Sequence, residues 1–209
     1  MVKKDSNLIL IIAIILVVIS LISCCIVLFS DKKLTGYAVD EGYINVTVIT
    51  VVDINVSQDT INWGPGIVNT SAGYDNATLT TFGGGTATVE GGNWSTDGVG
   101  SIEIMNTGNI NCSLKLQTAK NAHDLFGSLT STNELYELNV SDKEEGSCSG
   151  GNFSTWETAD KNEKIFCNQF DYNINNELYL NVKLAVPKDA TNTGELSDVI
   201  TITGDTAIS

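Results

Sequence analysis

The chain has 209 residues and a formal net charge of −14, because 25 Asp and Glu outnumber 11 Lys and no Arg is present. An acidic chain without the guanidinium forks that read phosphates and bases is a poor nucleic-acid binder, so we predict no nucleic-acid partner. The portion after residue 29 is long enough for one domain with a sizeable core, and too short for two large ones.

Residues 8–29 contain no charged side chain. As a helix rising about 1.5 Å per residue, this segment would reach roughly 33 Å, which matches a hydrocarbon core of about 30 Å. We therefore predict one transmembrane helix that acts as a signal anchor, preceded by a cytoplasmic tail at residues 1–7. The run LISC at residues 21–24 leaves two alternatives: cleavage with lipidation of Cys24, or simple cleavage near residues 36–38.

Two lysines precede this segment and two follow it, so lysine counts do not give its orientation in the membrane. The orientation has to be inferred from the downstream sequence. Asn-x-Ser/Thr triplets, the acceptors of N-linked glycans, all follow the segment and are about twice as frequent as chance predicts. The alternative is a chain that is simply rich in Asn and Thr. We predict a cytoplasmic N-terminus, an extracellular domain and eight candidate acceptors: Asn45, Asn55, Asn69, Asn76, Asn93, Asn111, Asn139 and Asn152.

The segments that follow predict a short stalk and then a β domain. Residues 30–42 are polar and contain two Gly, which is typical of a juxtamembrane stalk. Apolar residues alternate with polar ones through residues 43–57, which predicts a long strand with Asn45 and Asn55 on its wet face. We assign the domain to residues 43–205 and a C-terminal tail to residues 206–209.

Further short strands are predicted along the domain by the same alternation. They cover residues 76–82, 86–89, 101–105, 110–117, 136–140, 178–186 and 198–203. The turn at residues 106–109 predicts a hairpin between its two flanking strands. A short helical turn is predicted within residues 121–129. Asn139 is predicted on the solvent-exposed face of its strand. Many short alternating strands with turns between them predict an all-β protein with an antiparallel β-sandwich, Ig-like or jelly roll.

The run SIEIMNTGNINCSLKL at residues 101–116 and the ending LYLNVKLAVPKDATNTGELSDVITITGD resemble known surface modules. They are similar to the Ig-like or jelly-roll modules of archaeal and bacterial surface proteins, including the camelysin and biofilm matrix-fibre family. The resemblance spans residues 42–205 and implies an extracellular module that assembles or adheres. Proteolytic activity described for some members does not carry over, because this chain has a single His and no HExxH motif.

Two cysteines bracket a segment rich in Gly, Asn and charge. Outside the cell, a disulfide between Cys148 and Cys167 would pin this insertion to the domain. Cys112 lies at a core-facing position of its strand, which predicts a buried free thiol. Pairing of Cys112 with either of the other two is the alternative.

No catalytic residue, metal site or cofactor is predicted. His123 and Asp124 are neighbours in sequence, but no nucleophile motif accompanies them. The acidic runs at residues 142–145 and 160–163 lack the spacing and the Gly turn of a calcium loop.

We predict a non-enzymatic, membrane-anchored surface protein that serves envelope structure, adhesion or cell contact. Two alternatives remain. Trp63, Trp94 and Trp156 lie in Gly- and Asn-rich loops, where their rings could stack on sugars or contact a protein partner. The strand at residues 43–57 could instead be donated to a neighbouring subunit, which would build a fibre by strand addition.

Overall fold

The computed structural model describes residues 14–18, 49–130, 133–151 and 153–207. The chain divides into two units, Met1–Thr47 and Val48–Ser209. In the first unit, residues 14–18 are helical and their apolar side chains are exposed. Among the described residues, no helix has both the length and the apolar composition that a membrane crossing needs. Most of the transmembrane segment predicted at residues 8–29, and Cys24 with it, lies outside the described residues.

The described part of the second unit contains eleven β-strands and two short helical turns, so the prediction of an all-β protein is confirmed. The turns are a 3-10 turn at Thr70–Ala72 and an α-helix at Ala122–Phe126. The strands are β1 Ile54–Gln58, β2 Asn76–Thr80, β3 Thr88–Glu90, β4 Ile102–Asn106, β5 Cys112–Thr118, β6 Leu135–Asp142, β7 Cys148–Ser149, β8 Glu157–Thr158, β9 Lys164–Phe170, β10 Glu177–Pro187 and β11 Ile200–Thr206.

These strands form two antiparallel sheets. In the described residues the large sheet has seven strands, in the order β1-β4-β10-β2-β3 with β6 and β8 added on the other side of β10. The small sheet has four, in the order β11-β5-β9-β7. Every pairing between these strands is antiparallel. Antiparallel strands can be joined by short turns and need no crossover helix.

Strand β10 is the centre of the large sheet. One of its edges pairs with β6 from Leu178 to Ala185. Its other edge pairs first with β4 and then with β2, so two strands share that edge end to end. Between these two pairings, Thr81 supplies the hydrogen bonds to β10. The Thr81 Oγ1 accepts from the Val182 N–H, and the Thr81 N–H donates to the Val182 carbonyl.

The main hydrophobic core lies between the two sheets. Leu178, Leu180 and Ile104 of the large sheet share one cluster with Leu114, Phe166 and Phe170 of the small sheet. The alternation predicted the inward side of β10 correctly. A second, smaller cluster is formed by Trp63, Ala77, Leu79, Ala87 and Val99 beside β2 and β3.

The hairpin predicted at residues 106–109 is wrong. Strand β4 belongs to the large sheet and β5 to the small one, so this turn crosses between layers. Asn106 is buried at the crossing, where its Nδ2 donates to the Ile110 and Phe170 carbonyls over 3.0 and 3.4 Å. Its Oδ1 accepts from the Gly108 N–H, and a Cβ at Gly108 would lie 2.3 Å from the Val51 carbonyl oxygen. This side chain and this glycine together shape the crossing.

Within the strand predicted at residues 43–57, the described residues 49–53 are not in a strand. Strand β1 begins at Ile54, and residues 43–48 lie outside the described residues. The predicted alternation holds in β1, where Ile54 and Val56 face inward and Asn55 is exposed. The helical turn predicted within residues 121–129 is present, and a capping box between Asn121 and Asp124 begins it.

Candidate functional site

An open cleft of about 620 Å³ lies beside β6 and is lined by residues of both sheets. Two loops form its sides. Phe82 lies on one loop, and Ser154, Thr155 and Trp156 lie on the other. Asn139, Val140, Ser141 and Asp142 of β6 contribute to the lining, together with Cys148, Gly151 and Phe166.

The aromatic side chains of the cleft are held differently. Phe82 is 59% exposed, which is unusual for a ring of its size. Trp156 is half-buried, and the Lys183 Nζ lies 5.2 Å from the centre of its ring, within cation–π range. Glu137 accepts from Lys183 over 2.9 Å on the same face of the sheet. An ion pair therefore positions the cation that covers Trp156.

A hydrogen-bonded network lies beneath the cleft. Asn181 of β10 and Asn139 of β6 are cross-strand neighbours, and the Asn181 Nδ2 donates to the Asn139 Oδ1 and the Ser141 Oγ, both over 3.1 Å. The Asn181 Oδ1 accepts from the Ser101 hydroxyl over 2.6 Å and from the Gly83 N–H over 2.7 Å. All four side-chain hydrogen bonds of Asn181 are satisfied, as a buried amide requires.

The prediction that Asn139 faces solvent is therefore wrong. Its side chain does lie on the outer face of β6, as the alternation indicates, but the residue is only 5% exposed. The two loops cover that face, and the Asn139 Nδ2 donates to the Phe153 carbonyl over 3.0 Å. The run of glycines at residues 83–85 allows one loop to approach closely. Gly84 has φ +66°, and a Cβ there would lie 2.5 Å from the Tyr179 hydroxyl.

The predicted disulfide between Cys148 and Cys167 is present and joins β7 to β9. Cys167 is completely buried, and Cys148 lines the cleft. Cys112 is a buried free thiol, as its strand position predicts. Burial raises the pKa of this thiol to about 11, so it stays protonated and unreactive near neutral pH.

The structure does not bring the three candidate tryptophans together. Trp63 is 8% exposed and belongs to the second cluster, so its ring is not available to a ligand. Trp94 is half-buried against the same cluster and packs on Gly66, where a Cβ would lie 2.2 Å from the ring. Only Trp156 lines the cleft.

The candidate glycan acceptors fall into distinct environments. Asn55, Asn69 and Asn93 are exposed, Asn76 and Asn111 are half-buried, and Asn139 is buried. Asn45 and Asn152 lie outside the described residues. The triplets are therefore not one uniform set.

The His–Asp neighbours do not form a catalytic pair. The His123 Nδ1 lies 3.1 Å from Glu134, whereas Asp124 accepts from Lys161 and from the Asn121 N–H. These bonds hold the pKa of Asp124 below its usual range. Within the described ranges, no three His, Cys, Asp or Glu side chains converge in a way that could hold a metal ion. The acidic runs at residues 142–145 and 160–163 make turn and lysine contacts instead.

Sequence reasoning missed the buried polar residues. Asn181, Ser101 and Asn106 are at most 3% exposed, yet each lies where alternation predicts a solvent-exposed face or a turn. The glycine run beside β2 is a signal that could have indicated a loop packed on the sheet.

The fold and the site define a disulfide-linked domain of two antiparallel sheets with an aromatic cleft beside β6. Comparisons with protein-family models, with curated proteins and with solved structures found no match to this chain. The resemblance to the camelysin and biofilm matrix-fibre family stays a prediction.

Proposed function

We propose that this protein is a non-enzymatic surface protein that displays an acidic, Ig-like or jelly-roll β-sandwich outside the cell. The observation that carries the proposal is the disulfide between Cys148 and Cys167. Disulfides of this kind persist in oxidising compartments and are rare in the reducing cytosol. The uncharged segment at residues 8–29 supplies the membrane anchor, with the N-terminus in the cytoplasm.

The charge of the domain supports the same function. Its lysines are largely engaged in surface ion pairs, such as Lys143 with Glu103 and Glu177 at 3.1 and 2.9 Å. The excess acidic groups give a surface that repels copies of itself and stays solvated. Such a surface suits envelope structure, adhesion or contact between cells.

Thiol trapping in intact cells tests the proposal. Free thiols are alkylated before lysis, and Cys148 and Cys167 are then examined by mass spectrometry. We expect both to be protected as a disulfide and Cys112 to be alkylated only after unfolding. Alkylation of Cys148 and Cys167 in the native chain would contradict display outside the cell.

Carbohydrate binding in the cleft is the second candidate function. The cleft combines the exposed Phe82 ring and Trp156 with the hydroxyl groups of Ser141, Ser154 and Thr155. Aromatic faces pack on the apolar faces of sugar rings, and hydroxyl groups pair with sugar hydroxyls. Neither Trp63 nor Trp94 contributes.

A glycan array with matched variants tests this candidate. Trp156→Ala removes a ring from the cleft, and Tyr74→Ala removes an exposed ring elsewhere. We expect at least a tenfold loss of binding for Trp156→Ala and none for Tyr74→Ala. Flat binding across the array, or equal effects of the two variants, would reject the cleft as a sugar site.

Fibre formation by strand addition receives less support. Strand β1, the described end of the segment that would be donated, already pairs with β4 of its own chain from Ile54 to Gln58. A donated strand would have to give up this pairing.

A further inference from the structure

We infer that the displayed domain carries N-linked glycans on Asn55, Asn69 and Asn93, and that the triplet at Asn139 serves the fold instead. The inference rests on the proposed function, because the chain must meet the glycosylation machinery outside the cytosol. We separate the acceptor triplets by whether the side-chain Nδ2 of the Asn is exposed to solvent or is buried and hydrogen-bonded.

The chemistry of transfer explains why this atom decides. Nδ2 forms a bond to the anomeric carbon of a sugar in a glycosyl phosphate donor, such as a lipid-linked oligosaccharide. The bond between that carbon and the phosphate oxygen breaks, and the phosphate leaves with the bonding electrons. One amide proton passes to a base. An acceptor Nδ2 must therefore reach solvent, and it cannot be committed as a buried hydrogen-bond donor.

Asn55 meets this requirement on the outer face of β1. The residue is exposed, and β1 is the end strand of the large sheet within the described residues. In the described part of the chain its side chain takes no part in a hydrogen bond. A glycan there would project from β1 without displacing a side-chain hydrogen bond of the described residues.

Asn69 and Asn93 also meet the requirement of a solvent-accessible Nδ2, and they lie close to each other. The segments around them pair through the Val68–Gly92 bridge, and both residues are exposed. Each uses only its Oδ1: that of Asn69 accepts from the Ala72 N–H, and that of Asn93 accepts from the Ile67 N–H over 2.7 Å. Each Nδ2 is left to solvent within the described structure.

The apolar surface beside this pair supports the same conclusion. Ile67 is 69% exposed, and its backbone pairs with Asn93 in both directions. Glycans on Asn69 and Asn93 would flank Ile67 and cover a side chain that otherwise faces water.

The triplet at Asn139 has the opposite character. Its Nδ2 is buried and committed to the Phe153 carbonyl, so a sugar there would require the covering loop to leave. Its third residue, Ser141, accepts from Asn181. Asn and Ser two positions apart face the same side of a strand, so Asn181 binds both members of this triplet. The Asn-x-Ser pattern follows here from cross-strand hydrogen bonding.

Serine-to-alanine variants of the full chain, expressed in its own host, separate the two roles. Ser57→Ala, Ser71→Ala and Ser95→Ala each destroy one triplet and leave the Asn side chain in place. Ser141→Ala destroys the triplet at Asn139 in the same way. Intact-mass measurement and thermal melting are recorded for every variant.

We expect each of the first three variants to lose the mass of one glycan. Ser141→Ala is expected to keep the full mass and to lower the melting temperature by about 3 °C, because one acceptor of Asn181 is lost. A loss of glycan mass in Ser141→Ala, or an unchanged mass in even one of the other three variants, would overturn the inference. An unglycosylated domain with its disulfide intact would overturn only this inference, whereas a domain with reduced thiols in the cytosol would overturn the proposed function as well.

Discussion

Asn181 and Asn139 face each other across β10 and β6, and the Asn181 Nδ2 donates to the Asn139 Oδ1 over 3.1 Å. Both side chains are buried on the outer face of the large sheet, where two loops cover them. This pair fixes the loops that form the cleft. It also removes Asn139 from the set of accessible glycan acceptors.

Replacing Asn181 with Ala should destabilise the domain by about 3 kcal/mol. The change leaves the buried Ser101 hydroxyl and the partly buried Gly83 N–H without an acceptor. Chemical denaturation, monitored by tryptophan fluorescence, measures the loss in the free energy of unfolding. Asn173→Ala, at an exposed loop position, is the matched control and should change the stability by less than about 0.5 kcal/mol. Equal effects of the two variants would contradict the role of the network.

Replacing Gly108 with Ala should disturb the crossing between the two sheets. The new Cβ would meet the Val51 carbonyl oxygen at 2.3 Å, so backbone must move. We expect a loss of about 2 kcal/mol in the free energy of unfolding, since overpacking of this kind typically costs 1–3 kcal/mol. If the variant has the melting temperature of the wild type, the backbone at residues 106–109 can move enough to accommodate the new Cβ, and the prediction is contradicted.

Reduction of the disulfide should cost about 3 kcal/mol, the chain-entropy value for a loop of this size. The two cysteines are 19 residues apart in sequence. Denaturation curves with and without a reductant measure the effect. A Cys148→Ser/Cys167→Ser double variant should match the reduced wild type and should not respond to the reductant. A further response in that variant would implicate Cys112 instead.

Asp189 should stabilise the domain only above acidic pH. Its carboxylate accepts from the hydroxyls of Ser128 and Thr130, and these bonds lower its pKa. A group with a lowered folded pKa contributes its stability above the unfolded pKa and loses it as the pH falls through the folded value. Wild type should therefore exceed Asp189→Asn in stability at pH 7, and the gap should begin to narrow below about pH 4 and close once the pH lies below the lowered folded pKa. A gap that is unchanged at low pH would exclude an ionised Asp189 as its cause.

Side-chain alternation predicted what the strands bury between the sheets, but not what covers the outside. Leu178, Leu180 and Leu114 face the core because a strand with one buried face has a period of two. Asn139 and Asn181 follow the same period and still are buried, because loops distant in sequence pack over them. No local pattern in β6 or β10 contains that information.

The connection at residues 106–109 shows a second limit. A short Gly-containing turn between two alternating strands is the usual sign of a hairpin. Here Asn106 is buried and bonds the Phe170 carbonyl of β9, which lies in the other sheet. That choice depends on the long-range partners of β4 and β5, not on the turn.

The candidate site was predictable only in part. The Cys148–Cys167 pair follows from spacing and from a compartment argument, and it is present. The three tryptophans occupy similar loops in sequence, yet their environments differ because Trp63 and Trp94 pack against the small cluster beside β2. Composition alone could not separate them from Trp156.

Protease shaving of intact cells, followed by mass spectrometry of the released peptides, tests the central claim most directly. We predict that peptides from the β domain are released while the cells stay intact, and that Cys148 and Cys167 are recovered joined by their disulfide. Complete protection of the domain in intact cells, with digestion only after lysis, would contradict display at the cell surface.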